Sequence, residues 1–294
     1  MDVERDITVL VKAFERPEAL RRLLASVRAI YEHVPVVVVD DSREPLRPVP
    51  ADITAYLHEP YDSLGAAGGR NLGLRHVETP YVLVCDDDMV FERRTDLGRM
   101  LHALESTPFD VVSCVWLDFD PWRGICRGPR RFEGTLEVED SVLVHRLGAS
   151  RGALDGLPVY DVVHQFFAAA VERLGPEPWD AELNLSEHYE LFLTLRERGL
   201  RSTRLPDVVV QHHQELPPGY QEVREDTRRY VDAWLAKRGL KGIRVEGELF
   251  RRSDRLRYSL PGTIAYTGRR ASRVGRRLIS ERRLRASSTP PDSG

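Results

Sequence analysis

Three consecutive carboxylates, Asp86, Asp87 and Asp88, directly follow the apolar run Tyr81–Cys85, and a second acidic pair, Asp40 and Asp41, ends the run Val36–Val39. Like charges held this close need hydrogen-bond donors or a cation to compensate them. A hard divalent ion, Mg²⁺ or Mn²⁺, takes one or two carboxylates and completes its shell with phosphate oxygens. An isolated acidic pair at a strand end more often caps a turn. Three in a row, with another acidic strand end upstream, favour the cation. Alternation along an extended chain puts Asp86 and Asp88 on the same side.

Between the two acidic sites lies the small-residue segment Gly65–Leu74, which contains Gly68, Gly69, Arg70 and Asn71. Small residues let backbone N–H groups approach a phosphate and Arg70 could fork onto its oxygens, but tight helix packing explains the same glycines. No Walker lysine follows. Farther on, His212 and His213 end a Val-rich run; a neutral imidazole there could complete a metal shell, or be structural. If the chain stays extended, His213 points away from His212.

The surrounding elements read as repeated βα units. Ile7–Val11, Val36–Val39, Tyr81–Cys85, Val111–Val115 and Asp207–Val210 are short, largely apolar runs of the kind that form parallel strands covered on both faces. Pro17 to Val27 carries Leu20, Leu23, Leu24 and Val27 at helical spacing. Gly65–Gly73 is expected to be a loop entering a helix near Arg70, Pro121 to Gly134 a loop, Asn184 to Arg198 a helix, and Tyr220 to Arg238 a charged helix. In such open sheets ligands bind beyond the carboxyl ends of the strands, where both acidic clusters fall.

The 294 residues, 41% hydrophobic and 30% charged, suit a soluble protein with a sizeable core. A net charge of −3 excludes a whole-molecule polyanion binder. Cys85, Cys114 and Cys126 lack disulfide-framework or zinc-site spacing, which fits a reducing cytoplasm. The charged start Met1–Asp6 lacks the apolar core of a signal peptide, and no run of about 18 apolar residues would span a membrane. The expectation is a cytoplasmic protein.

Taken together, Ile7–Pro17, Val38–Ser42, Gly68–Gly73 and Thr79–Asp88 resemble the inverting glycosyltransferases of family 2, with closer likeness to the β-1,4-N-acetylgalactosaminyltransferase group. The resemblance implies an α/β fold of GT-A (Rossmann-like) type, a mostly parallel sheet flanked by helices over residues 1–215. A C-terminal helical, Arg-rich extension would occupy residues 216–294. It implies a nucleotide-sugar donor of UDP type, an N-acetylhexosamine as the transferred sugar, and an acceptor of unspecified class. The donor would lie on Phe14, Asp41, Gly69, Arg70, Asp86 and Asp87, with Asp41 at the nucleobase. Asp86, Asp88 and His212 would hold Mn²⁺ or Mg²⁺. Gln165–Ala168, Trp179-Asp180 and Ser186–Phe192 resemble the acceptor-side segment, where an acid near a helix start is the catalytic base. His188 stands where that group often has Asp, which leaves Glu187, His188 and Glu190, with Glu187 preferred.

The tail from Arg251 to Arg285 is dense in arginine, opposed by Asp254 and Glu281 alone. It suggests a peripheral contact with anionic lipid at the inner membrane face, or simply a solvated helix. Few aromatics accompany it, which argues against nucleic acid. Two other functions share acids on an α/β sheet. A sugar nucleotidyltransferase would need a Gly-rich triphosphate loop after the first strand, and Lys12–Arg16 has no glycine; a catalytically silent nucleotide- or glycan-binding domain would keep the fold without turnover.

Overall fold

The computed structural model describes residues 2–120, 125–183, 187–215, 221 and 227–249. The Arg-rich segment from Arg251 onward lies outside the described residues. The first half runs α1 (Val3–Asp6), β1 (Ile7–Ala13), α2 (Pro17–Ile30), β2 (Val36–Asp40), β3 (Ala55–His58), α3 (Gly65–Leu74), β4 (Tyr81–Asp86), β5 (Met89–Val90), α4 (Leu97–Ser106) and β6 (Val111–Asp120). It continues through β7 (Ile125–Arg130), β8 (Gly134–Glu139), β9 (Val142–Leu147), β10 (Ala153–Leu154), β11 (Leu157–Pro158) and β12 (Phe167–Ala170). Last come α5 (Val171–Leu174), α6 (Glu187–Glu197), β13 (Ser202–His213), α7 (Thr227–Lys237) and β14 (Gly242–Glu246).

A nine-stranded sheet has the order β3-β2-β1-β4-β12-β6-β13-β5, with β7 also paired to β6. Strands β3, β2, β1, β4, β6 and β13 run the same way, while β12, β5 and β7 run against their neighbours. Every residue of β1 and β2 is buried, as expected of strands covered on both faces. Alternate β1 residues serve different cores: Ile7, Val9, Val11 and Ala13 pack on the side of α2 and α4, and Leu10 on the opposite side. The expected stripe of α2, Leu20, Leu23, Leu24 and Val27, is the buried one, and Pro17 opens the helix where its missing N–H costs nothing.

Three expectations need correction. The 121–134 stretch is not all loop, because Ile125–Arg130 forms β7 antiparallel to β6. Its Gly and Pro residues conceal the strand; Gly128 sits at φ 105 beside the register shift in the β6–β7 pairing. Helix α3 begins at Gly65, so Arg70 lies within it rather than at its entry. Beyond residue 215 the described part is not purely helical: β14 pairs with β9 in a second, three-stranded sheet. Trp234 of α7 is fully buried in the same core cluster as Phe167 and Leu191.

Candidate active site

Register brings the chemistry to one edge. Lys12 pairs with Asp86, Ala13 with Asp40, and His212 with both Asp118 and Met89, so the carboxyl ends of β1, β2, β4, β6 and β13 share a crevice. A cavity of about 330 Å³ opens there.

The Asp triplet divides. Asp86 and Asp88 line the cavity, although strand β4 stops at Asp86. Asp87 is fully buried and accepts from the Phe14 N–H at 3.1 Å and from Arg16. The nucleotide contact expected of Asp87 is therefore not where its side chain points; it ties the β1 loop to β4. Arg16 also donates through Nη1 to Asp88 Oδ2 at 2.5 Å. Burial works against ionised Asp88, yet Arg16 and His212 hold its carboxyl below the ordinary range.

His212 lies with Nε2 3.5 Å from Asp88 Oδ2 and Nδ1 2.8 Å from Asp118 Oδ1. Burial opposes a proton on His212, but Asp88 and then Asp118 outweigh it and raise the imidazole to about 9. The Trp116 ring packs on His212 at 4.8 Å and on His164 at 4.4 Å. His213 turns away, as alternation requires, and stacks on Phe119 at 4.5 Å.

Asp41 is fully buried. Its Oδ1 pairs with Lys12 Nζ, which also donates to the Ala13 carbonyl at 2.7 Å. Its Oδ2 accepts from the Leu64 and Gly65 N–H groups at 3.3 and 3.2 Å. Helix α3 has no cap from its own N-cap residue, and Asp41 supplies one from β2. Gly69 is not on the cavity wall, contrary to the expected donor contact. A Cβ there would collide with Lys12 Cδ and Cε, so the glycine makes room for the buried lysine. Gly73 likewise lets α3 rest on Leu10 and Val39. Asp40 serves the turn, accepting from Ser42 N–H at 3.0 Å and from the Tyr56 hydroxyl.

Arg70 is buried and bridges two acids: Nη1 donates to Glu187 Oε1 and Nη2 to Asp86 Oδ1, each at 2.8 Å. Its neighbour Asn71 exchanges two hydrogen bonds with the Trp179 backbone, at 2.7 and 3.2 Å, which fastens α3 to the chain ahead of α6. Of the three candidate bases, Glu187 and His188 line the cavity and Glu190 does not. Glu190 instead accepts from Trp234 Nε1 at 2.8 Å and from Arg238 Nε and Nη2 at 2.7 Å, docking α7 onto α6. His188 donates Nε2–H to the Val163 carbonyl at 2.7 Å, and burial lowers its imidazole to about 3.

Among the described residues, no three His, Cys, Asp or Glu side chains form a ready cation cage. Asp86 accepts from Arg70 and Asp88 from Arg16, and of the expected ligands Asp88 and His212 are the pair that face each other, at 3.5 Å. A carboxylate and an imidazole, the latter oriented by Asp118, suit Mn²⁺ or Mg²⁺ when phosphate oxygens fill the remaining positions.

The family model for "Glycosyl transferase family 2" matches residues 8–164. The chain belongs to glycosyltransferase family 2. This family 2 chain is 36% identical to human beta-1,4 N-acetylgalactosaminyltransferase 1 over 216 residues, 71% of itself and 39% of that protein. It is 33% identical to mouse beta-1,4 N-acetylgalactosaminyltransferase 2 over 218 residues, 72% of itself and 40% of that protein. It thus spans about two fifths of the curated relatives it matches. The S. aureus TarS 1-349 structure in complex with UDP-GlcNAc superposes with TM-score 0.56 at 15% identity, covering 79% of this chain and 66% of that one. A Pyrobaculum calidifontis mannosyltransferase in complex with GDP-Man and Mn²⁺ gives TM-score 0.50 at 19% identity, covering 85% and 68%. These likenesses establish the GT-A fold.

Asp62, Trp116, Arg130 and His164 of the cavity wall were not singled out in the sequence, and Arg16 and Gln165 were placed in family-like segments without a role of their own. Arg16 carried a usable signal, a cation just beyond a strand that must pair beside an acidic strand end. Trp116 and Arg130 did not, since only the β6–β7 pairing makes them neighbours.

Proposed function

We propose that this chain is an inverting glycosyltransferase that moves an N-acetylhexosamine from a UDP-sugar to an acceptor hydroxyl or amine. The observation that carries the reading is the convergence of Asp86, Asp88, His212, Arg70 and Glu187 on one cavity at the strand carboxyl ends. The names of the relatives, both beta-1,4 N-acetylgalactosaminyltransferases, support the sugar, and the UDP-GlcNAc complex of TarS supports the nucleotide.

In this mechanism Glu187 removes the acceptor proton as the nucleophile bonds to the anomeric carbon, and the bond from that carbon to the diphosphate oxygen breaks with UDP leaving. Arg70 occupies Glu187 Oε1 and so leaves the second carboxylate oxygen for the proton. Held between two acids, the guanidinium fixes where the base sits. Asp88 and His212 would hold Mn²⁺ or Mg²⁺, which supplies positive charge to the departing diphosphate.

The test is UDP release from UDP-GalNAc and UDP-GlcNAc across an acceptor panel with Mn²⁺ or Mg²⁺, with the product's anomeric configuration read by NMR. A product of inverted configuration, lost with excess chelator and in Glu187→Gln, is expected. Full transfer by Glu187→Gln would remove the base, and undiminished activity in chelator would remove the metal.

A further inference from the structure

Arg70 is held at its edge by two acids, Glu187 on Nη1 and Asp86 on Nη2, each at 2.8 Å. Gln165 covers its face. With its amide oxygen toward Arg70, that oxygen lies 3.1, 3.0 and 3.2 Å from Nε, Nη1 and Nη2, and only a point above the guanidinium plane is nearly equidistant from all three.

Electrostatics sets the direction of this amide. An oxygen turns the negative end of its dipole to the cation, whereas an NH₂ there would set donor against donor. With the oxygen on Arg70, the amide nitrogen donates to His188 Nδ1. That ring nitrogen can accept because the imidazole proton sits on Nε2, which donates to the Val163 carbonyl at 2.7 Å. Both nitrogens of His188 are therefore taken by the segment 163–165, which leaves neither for an acceptor proton. Phe132 and Phe192 pack on the same imidazole with ring centroids at 5.0 Å. Gln165 is buried and shares the cavity wall with Glu187 and His188, where a reversed amide would lose its partners at both ends.

We infer that Gln165 is a positioning residue for sugar transfer: oriented by His188, it fixes the plane of Arg70, and Arg70 in that plane places Glu187 for the acceptor proton. The inference rests on the proposal that Glu187 is the base.

The test uses the full chain as wild type, Gln165→Leu, His188→Asn and His188→Leu. The first measurement is the side-chain ¹⁵N NMR spectrum of the histidines, which needs no turnover. His188 is expected to carry its proton on Nε2, and its Nδ1 resonance should move downfield in Gln165→Leu as the hydrogen bond is lost. The second is UDP release from UDP-GalNAc and UDP-GlcNAc with Mn²⁺, beside calorimetric titration with UDP. Gln165→Leu should lower kcat by about tenfold, less than a change of Arg70 itself, while UDP affinity and the donor KM stay at wild-type values. His188→Leu should lose kcat to the same degree. His188→Asn, whose side-chain oxygen stands near the place of Nδ1 and can accept from Gln165, should recover most of it, and this pair decides the matter even where Gln165→Leu does not fold. An unmoved Nδ1 resonance, wild-type kcat in Gln165→Leu, a loss confined to KM and UDP affinity, or equal kcat in the two His188 variants would overturn the inference. Full transfer by Glu187→Gln would instead overturn the base on which it stands, with the nitrogen resonance still reporting the Gln165–His188 bond.

Discussion

Arg70 donates to Glu187 at 2.8 Å across 117 positions of sequence, while its other terminal nitrogen holds Asp86 at the same distance. One buried guanidinium thus joins the strand end of the acidic cluster to the first turn of α6. Arg70→Lys keeps a charge but not the fork. It is expected to lower kcat/KM for transfer by about 100-fold, on the scale of a mispositioned catalytic group. Arg70→Ala leaves two acids around a buried vacancy and should cost about 3–5 kcal/mol in urea unfolding. A lysine variant with wild-type kinetics would mean that the fork is dispensable.

Asp41 is expected to act mainly on stability. Asparagine there leaves Lys12 buried without its counter-charge, a change of about 3–5 kcal/mol for a broken buried pair. Chemical denaturation of Asp41→Asn measures it directly; a midpoint equal to wild type would show that water or another group readily solvates Lys12.

Gly69→Ala tests the close approach of α3 to β1. The added methyl meets Lys12 Cδ and Cε, and the lysine has little room to yield because its Nζ is pinned by Asp41 and Ala13. A loss of about 1–3 kcal/mol is expected, as for other overpacked interiors. Gly68→Ala is the internal control, since its Cβ would meet only Leu64 side-chain atoms at ordinary contact distance, 3.5 Å and beyond.

Asp118 orients His212 through a 2.8 Å contact to Nδ1. Asp118→Asn should therefore weaken Mn²⁺ binding by about 10–100-fold, the usual effect of losing the partner of a ligating imidazole. The free-ion signal in electron paramagnetic resonance reads this without any turnover. Unchanged Mn²⁺ affinity would exclude His212 as a ligand dependent on that partner.

His188 sets a pH response. Burial lowers it from 6.5 to about 3, so between these values the unfolded chain holds a proton that the folded chain does not. Its contribution is full above about pH 6.5 and is lost as pH falls, by up to about 1.4 kcal/mol per pH unit. Urea midpoints taken from about pH 7 down to about pH 5 should fall, and fall less steeply in His188→Gln. Equal slopes in the two proteins would mean that His188 is protonated in the folded state.

The strands and α2 were legible because burial on both faces leaves continuous apolar runs and a helical stripe leaves Leu20, Leu23, Leu24 and Val27 in register. Strand β7 was hidden, since its Gly and Pro residues read as loop until β6 supplies the partner. Within the site, Asp88, His212, Arg70 and Glu187 could be named because acids, a histidine and an arginine stood at element ends in a pattern that resembles the family. What each one touches could not.

By itself the sequence determined the order of βα elements, the acidic strand ends and the family, all properties of local pattern. Only the tertiary structure decided that Asp87 and Asp41 turn inward to Arg16 and Lys12, that Gly69 makes space for a lysine, and that Glu190 holds α7. The physical reason is that a buried charge must find its partner wherever the fold brings one. Those partners lie 71, 29 and 44 positions away in the chain, beyond the reach of any local pattern.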